Sequence, residues 1–407
     1  MVPRARESRH RKGFAVRIER VDVYVTDLPQ RLQRQVSSGA YDTGPAGSLL
    51  GKPVLVRVAA EGVVGYGQIR PITPGHFLPD TVHSVVGAIT DIYGPQLLGR
   101  EVSDIAGLWS EFDRVLPGNV NARAAIDHAL HDALGKALGV PAYRLLGGLC
   151  QSRIPLEWSV SMASSREAMV EGARSAVSEH GMRVLCLKAG GPGGWRADVE
   201  NFAAVRAAVG DDVVVGIDPN CGWVVPDAVN AVRAMASYGL GYVEQPTARH
   251  DLRGLRRVRD AAGGVPVMAD ESVMTLADAN ALVAADAVDV FCVKLYKMGG
   301  LHQAKKIAAV AEAANVRVNI GGLAVFSQLE AAAGAHFYAS TPESLVMPAA
   351  EFIFGLGILG PDPIAPAMDL CAHDGYVEPP CAPGLGVTID EDAVARHSLR
   401  HEVVRPS

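Results

Sequence analysis

Six polar residues stand where short apolar runs end: Lys188, Asp218, Glu244, Asp270, Lys294 and Asn319. They recur every 24 to 30 residues. Three of them are carboxylates. Held close together and unpaired, Asp218, Glu244 and Asp270 would repel and raise one another's pKa. A divalent cation relieves that repulsion, and hard oxygen donors select Mg2+, with Mn2+ as a substitute. Two are lysines. Beside a cation and partly desolvated, Lys188 and Lys294 would have a lowered pKa and could act as general bases. The residue types therefore point to metal-assisted proton transfer.

The elements that must carry these residues are eight apolar runs. They are IPLEWSV, RVLCLKA, VVVGIDP, GYVEQP, VPVMADE, DVFCVKL, VRVNIGG and LVMPAAEF, between residues 154 and 352. Near-continuous apolar runs are the mark of parallel strands buried on both faces. The repeat length fits one strand, one helix and two short loops. Eight such units predict an α/β fold closed into a (β/α)8 TIM-type barrel, whose strand carboxyl ends converge on one mouth. Strands two and six lie opposite each other in that arrangement. Lys188 and Lys294 would then approach one ligand from opposite sides. Lys297, three residues on, falls in the loop beyond the strand and is assigned a secondary role.

The chain has 407 residues, more than one core usually holds, so a second domain is expected. Residues 1–13 are basic and predict a disordered start. AVRIERVDVYVT alternates as a strand, and PVLVRVAAEGVVGYG predicts a hairpin turned at Glu61-Gly62. Between them, residues 37–51 are Gly- and Ser-rich without a period, and predict a lid over the mouth, with Tyr41 and Leu49 as contacts. Residues 80–149 predict helices, the clearest from Asn121 to Gly139 with Pro141 as a stop. His128 and His131 on that helix are too few for a closed metal site and read as surface or packing residues. Residues 371–407 predict a loop and a short strand returning to the amino-terminal region. The expected division is a cap over 1–149, a barrel over 150–370 and a returning tail over 371–407.

Composition excludes several classes. Net charge is −6, which suits neither nucleic acid nor an anionic membrane as partner. The six cysteines are scattered without a C-x-x-C pair, which predicts reduced thiols and a cytoplasmic protein. No apolar run is long enough for a transmembrane helix.

LKAGG, GIDPNCGW, YVEQP, MADES, VKLYKMGG and CAPGLGVTIDED, with AAIDHALHDALGKALGVPAYRLLGG before them, make the chain resemble the enolase superfamily in its muconate-lactonising subgroup. These stretches cover most of residues 15–395. The resemblance implies a capping α+β domain built from both chain ends over a modified barrel. It implies Mg2+ on Asp218, Glu244 and Asp270, with Lys188 and Lys294 as acid/base catalysts. The chemistry implied is removal of a proton α to a carboxylate through a metal-stabilised enediolate.

This sequence departs from the pattern at three places. Cys186 stands where the family commonly has a second lysine. Its presence resembles the branch acting on proline betaines and hydroxyprolines, whose substrates carry a cationic nitrogen. Gln68 replaces a frequent Glu. Strand seven ends in Asn319-Ile320-Gly321-Gly322 with no histidine, unlike the mandelate-racemase branch. Trp158 is a candidate to face a cationic nitrogen, and Tyr41, Asn220, Asn319 and Glu351 are the other candidate substrate contacts. The expected reaction is racemisation or epimerisation of a small carboxylate. Loss of water or cycloisomerisation after the same first step is the alternative, and a metal–carboxylate binder without turnover is a second one. The expected partner is that small carboxylate alone, with a homo-oligomer as the assembly.

Overall fold

The computed structural model describes residues 15–37, 39–72, 78–322, 325, 327–358 and 360–406, without the side chains of Gln33, Ala40, Tyr41 and Pro348. The basic start lies outside the described residues, and so does the Tyr41 side chain.

Eight strands form one parallel sheet in sequence order. They are Glu157–Val160, Val184–Lys188, Val214–Asp218, Leu240–Glu244, Val267–Ala269, Val290–Val293, Arg317–Gly321 and Val346–Glu351. Leu156 bridges Ala350 in parallel, so strands one and eight meet and the sheet curls on itself. Each of the first seven strands is followed by an α-helix, from Arg166–His180 to Gln328–Ala339, while Ile353–Gly355 after strand eight is a 3-10 turn. All eight runs expected from the sequence are strands.

The interior of the barrel is filled by Val184, Cys186, Tyr242, Met268, Val290, Cys292, Met347 and Ala349, a cluster separate from the core under the helices. Strand alternation places these at every second position and turns the intervening residues to the helices. Gly216 is required in this layer, because a Cβ there would lie 2.2 Å from the Tyr242 ring.

The cap is a four-stranded antiparallel sheet in the order Ser398–Val403, Ile18–Thr26, Val54–Ala60, Val63–Ile69. Ala60 pairs with Val63, so the turn is Glu61-Gly62, and Gly62 takes φ +79°. The tail adds the helix Glu391–His397 before its strand; Asp390 caps that helix by accepting the Ala393 amide at 2.9 Å. The long helix Val120–Leu138 ends at Gly139 in the left-handed conformation. It lies across the sheet so closely that a Cβ at Gly67 would meet the Ala125 carbonyl oxygen at 2.0 Å and the Ala129 nitrogen at 2.7 Å. Gly67→Ala is therefore expected to destabilise the protein by about 3 kcal/mol through overpacking against backbone, read as a lowered urea midpoint with an unchanged slope.

The same helix docks on the turn after strand six. Asp127 accepts the Leu301 amide at 2.6 Å, and the Asn121 side chain donates to the Tyr296 carbonyl at 3.0 Å. His128 and His131 are both buried within this packing. His131 Nδ1 lies 3.2 Å from Asp127 Oδ2. Burial lowers the His128 pKa to about 4. Gln68 is also fully buried in the cap, so that departure from the family pattern falls in the cap's core. Among the described residues, no helix is long and apolar enough to cross a membrane.

Candidate active site

The carboxyl ends of strands two to six bring Lys188, Asp218, Glu244, Asp270 and Lys294 to one mouth. All five are buried. Lys188 donates to Asp218 Oδ2 across adjacent strands. Lys294 donates to Asp270 Oδ2 at 2.5 Å and lies 3.7 Å from Glu244 Oε1. The lysine stem needs the glycine opposite it: a Cβ at Gly321 would lie 2.4 Å from Lys294 Cε. Gly321 ends strand seven, so the missing side chain there makes room for the lysine.

The electrostatics follow from burial and pairing. Burial opposes charge on Lys188 and Lys294, but Asp218 and Asp270 respectively outweigh it, and both pKa values are pushed well up. The carboxylate against each lysine sets that direction. Burial, then the charge of Asp218, raises Glu244 well above the carboxylate range. Burial also works against ionised Asp270, yet Lys294 and Lys297 overcome it and hold its pKa down. Glu244 Oε1 is buried and accepts no hydrogen bond. Crowded carboxylates with such an oxygen fit a divalent ion.

Several residues have more to do here than their sequence context indicated. Lys297 is fully buried and donates to Asp270 Oδ1 at 2.5 Å and to its carbonyl at 2.6 Å. Its placement corrects the loop assignment: the short helix Leu295–Met298 folds the chain back under strand five. Glu157 in strand one points into the barrel, where burial and then Glu351 raise its pKa to about 7. Glu271, beside Asp270, is raised to about 8 by burial and then by Asp270. A carboxylate inside an apolar run is the signal that would have revealed Glu157.

The candidate substrate contacts divide. Asn220 lies at the mouth, its amide donating to Asp218 Oδ1 at 2.8 Å and its side chain to Glu271 Oε1 at 3.3 Å. Glu351 ends strand eight and lies 3.7 Å from Arg34. Asn319 donates to Glu157 Oε2 at 3.4 Å inside the barrel. Trp158 does not face the mouth. It stacks on His180 of the following helix with ring centroids 4.9 Å apart, because alternation turns Glu157 and Ser159 inward and Trp158 outward.

The expected lid is also revised. Gln33–Val36 and Gly39–Asp42 form a hairpin, so the segment is not structureless. Arg34 of the hairpin donates to the Ser159 carbonyl at 2.8 Å and to Ser161 Oγ at 3.1 Å. Ser37 Oγ donates to the Asn220 carbonyl at 3.0 Å. The hairpin thus spans the loops after strands one and three. The rest of the segment is tied to the cap through Lys52, which donates to the Thr43 and Gly44 carbonyls, and Leu49 packs against the cap's core rather than the mouth. Arg34→Leu should raise KM about tenfold, or ~1.4 kcal/mol, with a smaller change in kcat. Equal falls in melting temperature and activity would mark Arg34 as a structural tie.

Residues 48–147 match the mandelate racemase / muconate lactonizing enzyme N-terminal domain, and residues 168–393 match the enolase C-terminal domain-like family. The chain belongs to the mandelate racemase / muconate lactonizing enzyme family. A chloromuconate cycloisomerase from Cupriavidus necator is 32% identical over 95% of this chain and 100% of its own length. The solved N-succinyl Arg/Lys racemase from Bacillus cereus superposes with a TM-score of 0.85 at 26% identity, covering 96% of this chain and all of that one. A dipeptide epimerase from Cytophaga hutchinsonii, solved with Mg and the dipeptide D-Ala-L-Val, gives 0.83 at 25% identity over 95% of this chain and all of that one. This family member is accordingly an isomerase of the enolase superfamily, with a barrel of the TIM type under an α+β cap.

Proposed function

We propose that the protein racemises or epimerises a small carboxylate by moving its α-proton between Lys188 and Lys294. The observation that carries this reading is the pairing of two buried lysines, on strands four apart in the sheet, with Asp218 and Asp270. Asp218, Glu244 and Asp270 would hold one Mg2+, or Mn2+ in its place. The bound ion supplies positive charge where negative charge develops on the substrate carboxylate. A bound ion would share Asp218 and Asp270 with Lys188 and Lys294, and its positive charge beside the two lysines would lower their pKa. One lysine then takes the proton from one face of the α-carbon, and the other returns a proton to the opposite face. Lys297 keeps its hold on Asp270 and fixes that carboxylate's orientation. Arg34 and the hairpin exclude water from the mouth.

We read the substrate as an amino-acid derivative or betaine rather than a plain diacid. Cys186 in place of a lysine removes one cation from the barrel interior, while Glu157, Glu271 and Glu351 are carboxyl groups of the barrel and its mouth. The names of the racemase and epimerase relatives support the same direction. Cycloisomerisation is the second reading, favoured by the full-length similarity to the chloromuconate enzyme. With this reading goes a cytoplasmic homo-oligomer whose cap comprises residues 1–149 and 371–407 and whose barrel comprises 150–370.

The test is a screen in heavy water. N-acyl amino acids, dipeptides, betaines and sugar acids are incubated with enzyme and Mg2+, and deuterium at the α-carbon is read by NMR. Incorporation with inversion supports the racemase, and incorporation with ring closure supports the cycloisomerase. Absence of Mg2+-dependent exchange across all classes would overturn the proposal.

A further inference from the structure

We propose that Gln245 is a positioning residue: it fixes the loops that carry Asp218 and Asp270 on either side of Glu244 before any ion binds. The inference rests on the reading that these three carboxylates hold one divalent ion. Gln245 follows Glu244 at the end of strand four and is fully buried. It offers the ion no ligand of its own, because every polar group it carries is already used.

Its backbone N–H donates to the Met268 carbonyl at 2.8 Å, and its carbonyl accepts the Cys221 amide at 2.9 Å. Its side-chain Oε1 accepts the Asp270 amide at 2.9 Å and the Ser272 amide at 3.0 Å. Nε2 donates to the Thr247 carbonyl at 2.9 Å and to Ser272 Oγ at 2.8 Å. Both lone pairs and both N–H groups of the side-chain amide are thus satisfied. The two groups facing Oε1 are backbone N–H, which only donate, so that end of the amide is the oxygen.

These bonds reach each of the three carboxylates. The parallel ladder between strands four and five runs through Val243–Val267 and Glu244–Met268. Asp270 lies one residue beyond strand five, Val267–Ala269. There the Gln245 side chain takes over, accepting the Asp270 amide in place of a backbone carbonyl. On the other side, the turn after strand three holds Asn220 at φ +44° and Cys221 at φ +64°. The Cys221 amide pins that turn to Gln245, and the Asn220 amide is aimed at Asp218 Oδ1. Gln245 itself takes φ +32°. A side chain bearing a Cβ keeps such a conformation only where its surroundings over-determine it. Groups that hold metal ligands in place before binding spare the ion the cost of gathering them, and their loss weakens affinity.

The experiment uses the full chain, stripped of metal by chelation. Mn2+ binding is read by electron paramagnetic resonance, and each metal-free variant is melted in parallel. Gln245→Met keeps the length of the side chain but gives the Asp270 and Ser272 amides no acceptor. The expected result is Mn2+ affinity weakened about 10–100-fold, the range for removing such a supporting contact. Gly67→Ala, which lowers stability from the cap, is expected to keep the affinity of the unsubstituted protein. If Gln245→Met melts below the assay temperature, Gln245→Asn decides, since it keeps the amide but withdraws it by one methylene; weaker Mn2+ binding is expected there too. Undiminished affinity in a folded Gln245 variant, or an equal loss in Gly67→Ala, would overturn the proposal. In either case, Mn2+ bound by the unsubstituted protein and weakened in Asp270→Asn leaves the proposed metal centre standing. Absence of Mn2+ binding by the unsubstituted protein would remove both.

Discussion

Lys188→Ala and Lys294→Ala should each abolish net racemisation and leave α-proton exchange in one enantiomer only, a different one in each variant. The loss in the blocked direction is expected to reach about 10²–10⁴-fold, the range for removing a positioned acid or base. The geometric basis is that strands two and six stand four apart in the curled sheet, with both ammonium groups inside it. Each variant is run with both enantiomers in heavy water, and deuterium is read at the α-carbon. Variants that lose the same enantiomer would exclude transfer on two faces. If the reaction is a cycloisomerisation, product formation fails in both variants while exchange persists in one. An unchanged rate with the true substrate in both would mean that the lysines are wall residues.

Asp270→Asn is expected to lower turnover by at least about 1,000-fold, or ~4 kcal/mol, and to weaken Mn2+ binding, which electron paramagnetic resonance reads directly. The structure adds a second consequence. Asp270 accepts from both Lys294 and Lys297, and all three are buried. Removing its charge leaves two buried ammonium groups short of an anion, which should cost about 3–5 kcal/mol of metal-free stability. The charge-keeping and shape-keeping comparisons are Asp270→Glu and Lys297→Met. Lys297→Met should restore part of the stability of Asp270→Asn, since it removes one unpaired cation. Additive losses in the double variant would contradict the coupling. The pH dependence has a definite sign. The Asp270 pKa is depressed in the folded state. Its contribution is present above the ordinary carboxylate pKa of about 4 and is lost as pH falls through the lower folded value. Full activity retained after chelation of divalent metal would refute the metal reading altogether.

Much of the fold was legible because burial writes itself into the sequence. A strand covered on both faces must be apolar throughout, so the eight runs announced themselves, and their spacing announced the helices between. The Glu61-Gly62 turn and the Gly139 stop were legible for a local reason, since each needs a backbone conformation that glycine adopts freely. Polar residues at strand ends gave the five residues at the centre of the mouth. What only the tertiary structure decided is which side chains meet. Trp158 lies one position from the inward face, and strand alternation sends it to His180 instead of the substrate. Lys297 is four residues beyond the end of strand six, and a single helical turn brings it back to Asp270. Arg34 belongs to an amino-terminal hairpin, far in sequence from the Ser159 and Ser161 it holds. The ionisation of the two lysines also depends on packing. The chain dictates their presence, but the direction of their pKa is set by which carboxylate lies against each. Local sequence carries periodicity and turn chemistry. Contacts between segments more than a hundred residues apart depend on how the whole barrel closes.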